Sequence, residues 1–338
     1  MNLYARTCHA LVGRSLVCLL GLLVAPLLAS AESKTSESSS SKPTPAGAEV
    51  NHDQDTYDED IDPEEANAAL ASEAPSSPDT TAARQPVSFR WPGEEFYYSV
   101  RINGAEAMRA GIRVGQVRYH NERPYVPISG TAQSTGFFHS IYPLDDRANT
   151  FFDPSTYRPW RSEKFFDEKG QQRTYNVDYL HDKFVARIER IRDDGSMRFS
   201  APIPDTTHDM LTWMYEMRDH EKLEIGQKLS VYLYDGWLLS RLDLIVVARE
   251  DVYTPMGWFK AWKIDFSREV LRSRAGQRKR GDKAPVEPIL ELRQAAKHTG
   301  SLWLSRDENH LPIKVSINTL LGIGEAVLIK YKPANSKP

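Results

Sequence analysis

Short runs of alternating apolar and polar residues, separated by dipeptides suited to tight reversal, constrain this chain more than any other feature of its 338 residues. In the run Lys260 to Phe266, Trp262, Ile264 and Phe266 share one side, while Lys263 and Asp265 share the other. Ile313 to Asn318 alternates in the same way, and Phe184, Ala186 and Ile188 line one side of their run. Strand side chains point to opposite faces with a period of two, so such runs bury one face and wet the other. Asn103-Gly104, Asp194-Gly195 and Asp235-Gly236 sit between candidate strands. Both central residues of the tightest hairpin turns need positive φ, which these pairs tolerate. The pattern predicts a mainly β fold, a curved antiparallel sheet (half-barrel or sandwich-like) of about 10–12 strands. It fits a single domain over residues 87–334.

One helix is expected near residues 207–220. Thr206 or Thr207 can cap it, Asp209 suits its positive end, and Met210, Leu211, Met214, Tyr215 and Met217 form one stripe. Such a stripe packs on a sheet face, or lids a pocket in which methionine adapts to an apolar ligand.

The first 86 residues have a different texture. Arg6 and Arg14 precede an apolar run from Leu16 to Leu28 that ends in Ala29-Ser30-Ala31. That is the layout of a secretory signal peptide over residues 1–31, and the run falls short of the roughly 20 residues of a spanning helix. Cys18 is mid-run behind Val17, which argues against lipid attachment. Both cysteines, Cys8 and Cys18, lie inside this leader, so the mature chain is expected to lack disulfides, thiol catalysis and cysteine-held zinc. Residues 32–86 read as a disordered acidic linker. Through residue 84 thirteen acids face only Lys34, Lys42 and Arg84, and scattered prolines and few large apolar residues leave little to bury. The expected location is the periplasm or another cell-envelope site of a Gram-negative-type bacterium.

Motifs for catalysis are sparse. There is no Gly-x-Ser-x-Gly elbow; Ser134 and His139 are near in sequence, which alone does not make a triad. Asp145-Asp146-Arg147 reads as a turn with a local ion pair. His208 and His220 would stand about 18 Å apart on an intact helix, too far to share a metal. No metal or cofactor is assigned, and the pattern points away from an enzyme. Gly322-Ile323-Gly324 fits a bend rather than a phosphate loop.

Two surfaces remain as candidates. Met210, Met214, Phe137, Phe138, Tyr142 and Trp262 are the residue types of an apolar pocket, and equally of a core. Arg272, Arg274, Arg278, Lys279 and Arg280 form a basic stretch that fits either an anionic partner or a solvated loop. Nucleic acid is not an expected partner after export.

Four stretches in order resemble the bacterial domain-of-unknown-function 3108 family. They are Gly93-Glu94-Glu95-Phe96-Tyr97-Tyr98 with Asn103 to Ala107, Ser134 to Arg147, Tyr253 to Phe259, and Leu302 to Asp307 with Leu311 to Lys314. The likeness spans about residues 90–332, while the acidic linker and the insertion at 268–288 depart from it. It implies an exported, mostly β envelope protein and carries over no catalytic residue. The expected function is a non-catalytic envelope binding module holding an apolar or lipid-like ligand in a curved sheet. A protein-interaction or assembly factor using the linker and basic loop is the alternative, and an unrecognised hydrolase the second. N-terminal sequencing of the exported protein is expected to begin at Glu32; a mature chain that retains Met1 contradicts the leader.

Overall fold

The computed structural model describes residues 87–220, 222–277, 284–319 and 322–334, so the leader, the acidic linker, and Arg278, Lys279 and Arg280 lie outside the described residues. β1 (Glu95–Ile102) and β2 (Ala105–Val114) form the first hairpin. The short β3 (Arg118–His120) pairs only with β4 (Arg123–Ser134). Helix α1 (Gly136–Ile141) leads into a meander of β5 (Leu144–Phe152), β6 (Pro159–Glu168), β7 (Gln171–Leu180), β8 (Val185–Arg192) and β9 (Gly195–Pro202). Then come β10 (Thr207–His208) and α2 (Trp213–Arg218). The second meander is β11 (Lys228–Tyr234), β12 (Leu239–Thr254), β13 (Gly257–Arg274), β14 (Ile289–Ser305), β15 (Pro312–Thr319) and β16 (Gly322–Lys332).

All belong to one continuous arrangement of 16 strands, except that β3 stands off its main path. β16 pairs antiparallel with β1 and so joins the two meanders, while β10 meets β11 in a two-residue parallel contact. The alternation rule therefore gives the right fold class, but the strand count exceeds the expected 10–12. The added strands include β6 and β7, where charged residues stand on both faces and alternation is weak, and the very short β3 and β10.

Turn chemistry explains much of the register. Asn103-Gly104 makes the two-residue reversal between Ile102 and Ala105 with φ of 48° and 84°. Lys169-Gly170 does the same between β6 and β7 at 53° and 75°. The β8–β9 reversal is shifted by one, with Asp193 and Asp194 between the paired Arg192 and Gly195. Asp235 opens a longer loop, where its carboxylate accepts the Trp237 and Leu238 N–H groups, each at 2.7 Å.

The expected helix over 207–220 is shorter in the structure. Thr207 and His208 are strand, and only Trp213–Arg218 is α-helical. Asp209 is the reason: its buried carboxylate accepts the Leu211 and Thr212 N–H groups at 3.0 and 2.9 Å and also the Thr150 hydroxyl of β5. The backbone is thereby turned before the helix starts. Leu211, Trp213, Met214, Tyr215 and Met217 are all buried in the main core, where each contributes ~1.5–3 kcal/mol. A Cβ at Gly130 would lie 3.1 Å from Leu211 Cδ2, so the β4 backbone rests directly on this segment. Part of the sheet's core face is thus covered by the protein's own chain.

A buried ion pair fastens that plug. The Glu94 carboxylate, just ahead of β1, receives Arg218 at 2.5 and 3.0 Å, the Tyr215 hydroxyl at 2.8 Å and the Tyr331 hydroxyl at 3.3 Å. Arg218 Nε donates to the Asn309 carbonyl at 3.1 Å, and the guanidinium lies 4.4 Å from the centre of the Trp91 ring. Burial opposes the arginine's charge, but Glu94 outweighs it and holds the pKa above its ordinary value.

The two ends of the sheet face each other through side chains rather than a ladder. The Tyr179 hydroxyl donates to the Tyr234 carbonyl at 3.0 Å, Lys164 Nζ to the Asp235 carbonyl at 3.1 Å, and Ser273 Oγ to the Pro202 carbonyl at 2.6 Å. A second apolar cluster seals the seam, in which Tyr175, Val177, Ala186 and Ile188 meet Tyr234, Leu239 and Leu271.

Removing one member of the buried pair leaves an uncompensated charge. Arg218→Met is expected to destabilise the protein by about 3–5 kcal/mol in urea unfolding. The double variant Glu94→Met with Arg218→Met is expected to cost clearly less than the two single losses added together; additive losses contradict the account.

Candidate functional site

The six candidate pocket residues differ in burial. Met214, Tyr142 and Trp262 are buried in the main core, and Met210 and Phe138 are half-buried against it. Phe137 stands 79% exposed on α1. Arg272 and Arg274 are exposed at the end of β13, and Arg274 pairs with Glu291 at 3.0 Å.

Three arrangements merit weight. The first surrounds α1. Ser134 Oγ contacts His139 Nδ1 at 2.9 Å and accepts the Leu144 N–H at 2.9 Å. The nitrogen facing the serine is thus Nδ1, which in a Ser–His–acid triad turns to the acid. Both bonds are local and tie α1 to the starts and ends of its flanking strands.

Beside it lies a buried acid pair that sequence reasoning missed. Asp145 and Arg147 do form the expected local ion pair, at 2.8 Å, but on a strand and not in a turn. Asp146 therefore points inward, between Leu144 and Ala148, and is only 4% exposed. One of its oxygens accepts the Asp167 N–H at 3.1 Å, while the other has no partner among the described residues. Burial, and then the charge of Glu168, push its pKa up to about 8. Glu168 is also buried and is paired with Arg173. A buried acid whose pKa is raised beside a second carboxyl is an arrangement that catalysis uses, yet it also arises in structural pairs. Here both carboxyls are closed over by the fold. The readable signal was an aspartate at an inward position of an alternating strand.

The third arrangement is a groove of about 630 Å³ across β11–β15. Lys228, Ile245, Asp265, Ser301 and Ser316 stand opposite one another in register on five successive strands and all line it. Leu244, Phe266 and Ile317 lie in the neighbouring row, where Leu244 and Phe266 turn their side chains into the main core, and Asp243 and Asn318 add polar surface. Ser301 Oγ donates to the Asp265 carboxylate at 2.6 Å, which fixes that acid within the groove. Gly300 shapes the site: a Cβ there would lie 2.3 Å from Phe266 Cζ and 2.5 Å from the Ser316 carbonyl oxygen. Only glycine allows β13 and β15 to approach β14 so closely at this point. Among the described residues no group of His, Cys, Asp and Glu could hold a metal ion.

Fold and surface together define a class: one large antiparallel sheet curled around a segment of its own chain, with a groove across its strands. The chain belongs to the family described as "Protein of unknown function (DUF3108)", which it matches over residues 97–329. It is similar in structure to a β-barrel-like protein of domain of unknown function DUF1849 from Brucella abortus, at 10% identity and a TM-score of 0.46. A provisionally named lipoprotein from Parabacteroides distasonis matches at 12% identity and a TM-score of 0.27. A protein provisionally named as exported, with a YmcC-like fold, from Bacteroides fragilis matches at 14% and 0.26. Each likeness covers 73% of this chain and 100% of the other. No curated protein sequence matches this chain.

Asp146 gives a test with a defined sign. Its folded pKa lies above the unfolded value, so the folded state holds the extra proton between about pH 4 and 8 and loses that advantage as pH rises. Over that window the wild type is expected to lose ~1.4 kcal/mol per pH unit relative to Asp146→Asn in urea unfolding. Parallel pH profiles for the two proteins contradict a buried neutral acid.

Proposed function

We propose that this protein is a non-catalytic binding module of the cell envelope, taking an amphiphilic, lipid-like ligand along the groove across β11–β15. The groove is the observation that carries the reading. Its volume lies in the range of small-molecule sites. Ile245 offers an apolar contact on the same face as Lys228, Asp265, Ser301 and Ser316, which offer donors and acceptors for a polar head. The packing of Leu211, Met214 and Met217 into the core supports an outer site rather than a pocket beneath the 207–220 segment. The location in the envelope rests on the leader read in residues 1–31.

Mass spectrometry of organic extracts from the protein purified out of its own envelope is expected to show a co-purifying amphiphile. Ile245→Arg, which places a charge on a half-exposed groove residue outside the core, is expected to reduce the amphiphile about tenfold, a loss of ~1.4 kcal/mol in binding, without changing Tm. Equal recovery from both proteins, or none from the wild type, removes the groove as a ligand site.

A further inference from the structure

Past the groove, β12 and β13 continue beyond their neighbours. β11 begins at Lys228, opposite Ile245, and β14 ends at Ser305, opposite Ala261. The Lys260 carbonyl still accepts the Arg306 N–H at 2.8 Å, but from Val252 to Phe259 the two strands pair, among the described residues, only with each other, ending at the turn Thr254 to Gly257. The two faces of this ribbon differ. Val252 and Phe259 pack on the main core, and Thr254 is buried. On the other face Tyr253 is 63% and Trp258 73% exposed, with ring centres 5.4 Å apart, and Met256 is exposed at the turn. Three large apolar side chains on a convex tip fit no pocket; tyrosine and tryptophan are the side chains that settle at a membrane–water interface.

Charge behind the tip gives the partner its chemistry. At the root of the ribbon Glu250 is met by Lys263 at 3.5 Å, and Asp251 stands opposite Lys260. Arg249 and Arg306 are different. Both are exposed, and they lie 4.8 and 5.1 Å from the Trp262 ring centre with no carboxylate partner among the described residues. Arg249 precedes Tyr253 by four strand residues, or about 13 Å at the usual rise. That spacing sets a pair of guanidinium groups behind an aromatic tip, within about one Debye length of the headgroup surface once the rings enter the interface, so an anionic surface attracts them.

We propose that the β12–β13 tip docks onto a bilayer surface carrying anionic phospholipid, with Tyr253, Met256 and Trp258 entering the interface and Arg249 and Arg306 drawn to its negative surface charge. The contact is independent of the groove, so Ile245→Arg leaves it intact.

Vesicle flotation of the mature chain tests it, with phosphatidylcholine alone and with a phosphatidylcholine–phosphatidylglycerol mixture. The wild type is expected to float with the mixed vesicles and to release them as salt is raised. Tyr253→Ser with Trp258→Ser is expected to lower binding on the order of tenfold through lost apolar contact, with an unchanged melting curve because both side chains are exposed. Arg249→Gln with Arg306→Gln is expected to lower binding to the mixed vesicles by about fivefold per arginine. Absence of wild-type flotation, equal flotation of the aromatic double variant, or equal binding to both vesicle types overturns the proposal. Self-association that needs Tyr253 and Trp258 while vesicles stay unbound also overturns it, and marks the tip as a protein contact.

Discussion

A buried guanidinium has to be answered completely or the fold that buries it fails, and the structure is organised around that demand. Moving one charge from water into a protein interior costs several kcal/mol even after relaxation. Arg218 meets the cost with both oxygens of Glu94, the carbonyl of Asn309 and the face of Trp91. Glu94 completes its own shell with two tyrosine hydroxyls. The partners come from the lead into β1, from α2, from the β14–β15 turn and from β16. One ion pair therefore fixes where the first strand starts, where the last strand lies and where the internal plug sits. An apolar pair could hold these parts together, but it would not set their orientation, since apolar contact is non-directional.

The plug answers a second demand, that of a long sheet which curls but does not close by a ladder. β10 offers two residues to β11, and among the described residues β9 has no ladder partner other than β8. Closure falls to side chains, and several of these are polar. Lys164 has no exposed surface, and burial holds its pKa below the ordinary value. Asp235 nearby is raised by the same burial. Arg268 lies 3.9 Å from Asp235 and donates to Ser240 at 2.7 and 2.9 Å. Such a seam specifies which strands face each other more sharply than it stabilises them. The apolar cluster of Tyr175, Val177, Leu239 and Leu271 alongside contributes the burial.

How far the sequence could be read follows from the range of each interaction. Trp262, Ile264 and Phe266 alternate because a strand requires it, and all three are buried as that rule expects. Asn103-Gly104 specifies its own turn, so it needs no distant partner. Residues 207–212 went astray because the side chain that stops the helix from starting early, Asp209, is held by Thr150, 59 residues away. Glu94 and Arg218 are 124 residues apart and carry no linear sign of each other. The groove is less visible still. Its row is a line across five strands, and it emerges only when each register is known. Methionines at 210 and 214 gave a signal that core and pocket share, so periodicity alone could not separate the two readings.

The packing of Leu211, Met214 and Met217 into the core turns attention to the outer surface, and the longest strands then take on a particular meaning. Ile245, in the groove, and Tyr253, at the tip, are eight residues apart on β12, about 26 Å along an extended strand. A headgroup layer is only about 5–8 Å thick on each side of a bilayer. With the tip at the interface and the strands upright, the groove stands clear of the lipid, and an amphiphile reaching it has left the membrane entirely. A site that merely steadied the protein on a bilayer would gain nothing from that separation. On the proposed reading, the groove holds a molecule apart from the membrane, with the polar row Lys228, Asp265, Ser301 and Ser316 replacing the water that a headgroup would otherwise keep.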